Sequence, residues 1–169
     1  VVLRLRLRGS QGLGKRFRHA ADGRLVDAGL EDLDAARTEL AKRGVDSLRI
    51  ALLGEGSWCG ALAATALVER PGRFVAAVDL GGDPDPLAQH DAVPALAEPA
   101  RTWWLTRFGD PATEAVRRDR ARMRLPTNLP SQLLFLASDP AAASDSAAAF
   151  AALWEFLSTR LGANLGGQP

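Results

Sequence analysis

The sequence predicts an α/β domain, a mainly parallel sheet of about four strands with helices on both faces. Three observations lead there. Short apolar runs at residues 49–53, 74–80 and 133–137 read as strands, the continuous run at 74–80 as one buried on both faces. Segments with a helical apolar stripe alternate with them. The strand, helix, strand spacing across residues 49–80 calls for a parallel, right-handed crossover.

Taken in order, residues 2–8 alternate Val-Leu-Arg-Leu-Arg-Leu-Arg, the period-two pattern of a strand with one apolar and one charged face, so an edge strand is predicted over 1–8. Residues 9–23 form a basic, glycine-rich stretch. It lacks the Gly-Lys-Ser/Thr ending of a phosphate loop and reads most simply as a solvated connection. Asp27 can cap a helix running to about Arg43, with Leu30, Leu33, Ala36 and Leu40 on one stripe and Gly44 as its stop.

The strand at 49–53 leads into a helix opening at Ser57 and ending near Pro71-Gly72. The next strand, 74–80, is followed by an irregular loop over 81–99 that carries Pro84, Pro86, Pro94 and Pro99. Trp103, Trp104 and Phe108 make a dense aromatic group, read either as core packing or as a substrate-contacting surface. A basic helical run covers 112–124. The strand at 133–137 ends in Ser138-Asp139-Pro140, which puts a carboxylate on the ligand side of the sheet, although Asp before Pro is also an ordinary turn. The last helix, 146–161, has Phe150, Leu153, Trp154, Leu157 and Leu161 as its buried stripe, and Gly162 ends it.

Composition narrows the function classes. The 169 residues, 47% hydrophobic and 24% charged, suit a single domain with a real core. A formal net charge of +1 argues against nucleic acid or an anionic membrane as the main partner. One cysteine rules out an internal disulfide, and with two histidines it leaves no zinc-type cluster, so neither metal nor cofactor is expected. No apolar run approaches a membrane span and no signal peptide is visible, which suggests a cytoplasmic protein. A start at Val1, without methionine and directly in a strand, reads as a piece of something longer.

The chemistry centres on the corner Gly54-Glu-Gly-Ser-Trp-Cys-Gly60. A strand handing over to a helix at a sharp glycine turn is where a nucleophilic serine is displayed, with the next backbone N–H able to meet an oxyanion. The G-x-S-x-G pattern would put glycines at Glu55 and Cys59, and here they stand one place further out. The same glycines, with Asp79 closing the following strand, also match a dinucleotide-binding turn whose third glycine is one place late. A purely structural corner is the third reading.

The ordered pieces resemble the catalytic domain of the prolyl oligopeptidase family of serine peptidases, within the α/β-hydrolase fold. They are Arg8-Gly-Ser-Gln-Gly-Leu-Gly-Lys-Arg-Phe, the helix with Leu30-Glu-Asp-Leu, Asp46-Ser-Leu-Arg-Ile before the serine corner, Arg70-Pro-Gly-Arg-Phe-Val-Ala-Ala-Val-Asp, Trp104-Leu-Thr-Arg-Phe-Gly-Asp-Pro and Leu133-Leu-Phe-Leu-Ala-Ser-Asp-Pro. The resemblance implies a truncated hydrolase core acting on a peptide or small ester, with Ser57 as nucleophile, Asp139 as triad acid and the Trp58 backbone N–H in the oxyanion hole. Trp104 resembles the aromatic residue that stacks on the substrate's proline ring. The family's histidine follows the triad acid, but here His19 and His90 are the two histidines and both precede Asp139. Ala141 stands where the family has a substrate-binding arginine, and the chain has no tyrosine to donate to the oxyanion. The expectation is therefore a weak or inactive hydrolase, with His90 as the better surrogate base. A non-catalytic relic of the fold and a Rossmann-like dinucleotide domain are the alternatives.

Overall fold

A computed structural model describes residues 1–81, 91–124, 130–136 and 146–162, with the side chains of Ser57, Phe135, Ser146 and Ala147 outside that description. Three strands, β1 (Ala51–Glu55), β2 (Ala76–Leu80) and β3 (Leu133–Leu136), form one sheet in the order β1-β2-β3. Both pairings are parallel, with Glu55 opposite Leu80 and Leu80 opposite Leu136, so the C-terminal ends of all three strands share one edge. The predicted α/β class and parallel crossover are what the chain adopts.

The middle strand explains the continuous apolar run. Ala76, Ala77, Val78 and Asp79 are all 0% exposed, and because successive side chains leave opposite faces of a strand, both faces of β2 are covered. On one face Ala77 and Leu133 pack against Ala63 and Ala64 of the helix that follows β1.

Six helices accompany the sheet among the described residues: α1 (Gly14–His19), α2 (Leu25–Lys42), α3 (Gly56–Glu69), α4 (Ala100–Phe108), α5 (Glu114–Ala121) and α6 (Ser146–Leu161), with a single 3-10 turn at Val93–Ala95. The main core joins Val26 and Leu30 of α2, Ala61, Leu62 and Ala66 of α3, Phe74 and Met123.

Several local expectations need correction. Residues 1–7 form no strand, and Val1, Val2, Leu3 and Leu5 are exposed. Alternation specifies a two-faced ribbon, but the ribbon becomes a strand only where a neighbour completes its hydrogen-bond ladder, and none of the described strands flanks it. The sheet thus has three described strands where about four were expected.

The stretch at 9–23 is not all loop, because residues between its glycines close into α1, and the Gly9 N–H donates to the Phe17 carbonyl at 3.0 Å. Asp27 is not a cap. It sits inside the first turn of α2 and accepts from Arg122 Nη1 at 3.0 Å, while Arg24 occupies the cap position. Gly44, at φ +82°, does follow the end of α2. The stripe of α6 is only partly covered, with Phe150 57% and Trp154 42% exposed and stacked on one another at 6.2 Å.

Candidate active site

The corner between β1 and α3 is built by close backbone approach. Gly54 is the fourth residue of β1, and a Cβ placed there would lie 2.0 Å from the Cys59 carbonyl oxygen and 2.6 Å from the Gly60 nitrogen. A Cβ at Gly60 would lie 1.8 Å from Asp79 Oδ1. Only Gly56, at φ +79°, uses glycine's left-handed freedom. Three glycines therefore have two jobs: Gly56 turns the chain, while Gly54 and Gly60 let α3 press down on β1 and β2.

This geometry puts Ser57 second in α3, directly past the C-terminal end of β1. The first-turn N–H groups of a helix have no intrahelical acceptor and carry its positive end, so the Trp58 N–H stands where a developing oxyanion could be met. Leu136 ends β3 on the same edge. Asp139 and His90 lie outside the described residues.

An aromatic stack fixes α4 against this corner. Trp58 lies on Phe108 with centroids 4.8 Å apart, Phe108 lies on Trp104 at 4.3 Å, and Trp103 meets both Trp104 and Phe108 edge-on. Beside the stack is a cavity of about 210 Å³ bordered by Trp58, Cys59, Leu62, Trp103, Phe108 and Met123. The wall is predominantly apolar, as small-molecule sites are, and it begins one residue after Ser57. Trp103, rather than Trp104, borders the cavity; Trp104 packs from behind through Phe108. The stacking is core packing, one of the two readings the sequence offered. Cys59 is an exposed residue, but partial desolvation of its sulfur, and secondarily Glu55, pushes the thiol up from its ordinary value, which keeps it protonated at neutral pH.

Sequence reasoning missed the arginines that hold this region. Arg107 of α4 reaches back to the glycine-rich segment, donating to the Gly9 carbonyl at 2.5 Å, to Asp22 Oδ1 at 3.0 Å and to the Arg18 carbonyl. A guanidinium suits this task because its fork of donors can collect carbonyls from an irregular chain. Arg120 of α5 lies over the Trp58 and Phe108 rings at 5.5 and 5.2 Å from their centroids. Nothing in the local sequence separates these two from the other basic residues of a helical run; only the fold does. His19 pairs with Asp22 at 2.7 Å.

The dinucleotide reading fails on Asp79. That reading needs a carboxylate at the crevice to meet a ribose, whereas Asp79 is 0% exposed and pressed against Gly60. Among the described residues no group of His, Cys, Asp or Glu could hold a metal ion.

Comparison with known proteins agrees with the geometry. The model of the prolyl oligopeptidase family matches residues 1–155. A dipeptidyl aminopeptidase BIII of Pseudoxanthomonas mexicana is 32% identical over 116 residues, covering 68% of this chain and 17% of the relative. A solved structure from a study of two prolyl endopeptidases superposes with a TM-score of 0.64 at 23% identity, covering 96% of this chain and 28% of that one. At that identity the superposition shows the fold. The chain spans less than a third of the length of either protein.

Proposed function

Since the chain belongs to the prolyl oligopeptidase family, we propose that it carries the serine centre of a peptidase-type hydrolase and acts through Ser57 on a peptide or small ester. The observation that carries the reading is the corner itself. A serine stands just past β1, after a positive-φ glycine, in the first turn of α3, and the next two residues, Trp58 and Cys59, border an apolar cavity. In this mechanism the Ser57 hydroxyl attacks the scissile carbonyl, the Trp58 N–H meets the oxyanion, and the cavity takes an apolar substrate side chain. Asp139 is the orienting acid.

The proposed activity is weak. A serine without its histidine loses roughly 10⁶ in kcat in the serine peptidase where each member was removed, because the hydroxyl keeps its proton. No histidine occurs between Asp139 and Pro169, and for these 169 residues His90 is the surrogate base in this reading. The test is turnover of a dipeptide p-nitroanilide and a p-nitrophenyl ester by the chain and by Ser57→Ala. Slow hydrolysis that disappears in Ser57→Ala supports the proposal, and equal rates in both proteins refute it. A non-catalytic relic would give no Ser57-dependent hydrolysis at all.

A further inference from the structure

Two buried guanidinium groups border one small cavity beneath the aromatic stack. Arg120 is 3% exposed, and the rings of Trp58 and Phe108 occupy the space over its planar group. A π-face satisfies the cation from above but accepts none of its in-plane N–H bonds. Arg120 Nη1 and Nη2 are buried and have no hydrogen-bond partner among the described residues. Arg107, 9% exposed, commits Nη1 and Nη2 to Gly9, Arg18 and Asp22, and its buried Nε has no partner either. Both side chains line a cavity of about 10 Å³, together with Trp58, Phe108 and Asp119.

Among the described residues the charges there do not balance locally. Asp22 compensates Arg107, and the Asp119 carboxylate is held by Arg122 Nη1 at 2.5 Å, a guanidinium that also serves Glu69 and Asp27. Burial lowers Arg120 to about 10, and the fields of Asp119 and Asp91 oppose this only in part. Even so, Arg120 remains a cation at neutral pH. Buried N–H donors on a cation are costly to leave unmade, and an anion repairs both deficits at once.

Size decides which anion. The room, about 10 Å³, is that of a single small particle, which favours a monatomic anion over a carboxylate or phosphate group. We propose that the cavity between Arg107 and Arg120 binds a single halide-sized anion, chloride being the ordinary occupant. It accepts the free in-plane N–H bonds of Arg120 and ties α4 and α5 together under Trp58. This site shares Leu25, Trp58, Arg107 and Phe108 with the larger cavity beside the stack, but the proposal does not depend on the peptidase reading.

The test is thermal melting of the full chain at constant ionic strength in sodium chloride, sodium bromide or sodium gluconate. Chloride and bromide should raise the midpoint saturably, by about 3 °C at concentrations some tenfold above the dissociation constant. Arg120→Met should lose the difference between anions. Because that variant could fail to fold, crystals of the parent soaked in bromide provide an independent reading, with an anomalous peak expected between Arg107 and Arg120. Identical midpoints in the three salts, or a bromide-soaked crystal with only water at that position, would overturn the proposal.

Discussion

Replacing Gly54 by alanine tests the packing that creates the serine corner. The added Cβ would meet three backbone atoms, the Cys59 oxygen at 2.0 Å, the Cys59 carbon at 2.3 Å and the Gly60 nitrogen at 2.6 Å. Ordinary carbon contacts fall near 3.5–4.0 Å, so α3 would have to withdraw from β1 by more than an ångström. No rotamer change can relieve the clash, because every atom struck is main chain. Overpacking typically costs 1–3 kcal/mol, and an unyielding obstacle belongs at the upper end, so we expect a loss of about 3 kcal/mol. For a chain of this size that is a fall of about 6–12 °C in the melting midpoint. Gly29→Ala is the internal comparison, since its Cβ would strike Leu62 Cδ2 at 2.6 Å, the movable tip of a side chain. It should cost about 1 kcal/mol. Differential scanning calorimetry on both variants decides the matter. A Gly54→Ala midpoint within 2 °C of the parent, or above that of Gly29→Ala, would refute the close-approach argument.

Other outcomes follow from the same structure. The Arg122 guanidinium, bonded to both Glu69 oxygens at 2.7 and 2.8 Å, holds the Glu69 carboxyl below its ordinary 4.5. A depressed carboxylate contributes stability that is present above the unfolded value and lost as pH falls through the folded one, so urea midpoints should decline below about pH 4.5. Arg122→Met should cost about 1–2 kcal/mol at pH 7 and flatten that acid decline; an unchanged slope would remove Glu69 from the account. Nicotinamide and flavin dinucleotides should show no micromolar binding by calorimetry, given a buried Asp79 and an exposed Glu55 at the turn, and heat that Gly56→Val abolishes would restore the nucleotide reading. Any residual reactivity of Ser57 should disappear in His90→Ala and persist in His19→Ala, whereas persistence in His90→Ala would eliminate His90 as the surrogate base.

What the sequence made legible was whatever local periodicity controls. The continuous run at β2 reported a strand covered on both faces, and Gly54 to Gly60 reported a strand-to-helix corner before any contact was known. The roles of those glycines were only partly legible, since conformational freedom is used at Gly56 while Gly54 and Gly60 serve close approach. That distinction depends on what lies across the gap, which one-dimensional spacing does not carry. Residues 1–7 show the same limit from the other side: their alternation is strand-like, yet pairing requires a neighbour. Arg120 lies in the run 112–124 that reads as a basic helix, and Arg107 in the aromatic segment before it; nothing in either stretch marks the two as buried. Arg120 is covered by Trp58 and Phe108, and Arg107 is held by Gly9, Arg18 and Asp22, partners mostly distant in sequence.

The most direct measurement is labelling of the chain with a fluorophosphonate probe, followed over time and mapped by peptide mass spectrometry. The account predicts slow labelling, incomplete over hours, confined to Ser57 and absent from Ser57→Ala. Rapid stoichiometric labelling of Ser57 would show a fully assembled base and contradict the weak-hydrolase reading, and modification at any other residue would contradict the assignment of the serine centre itself.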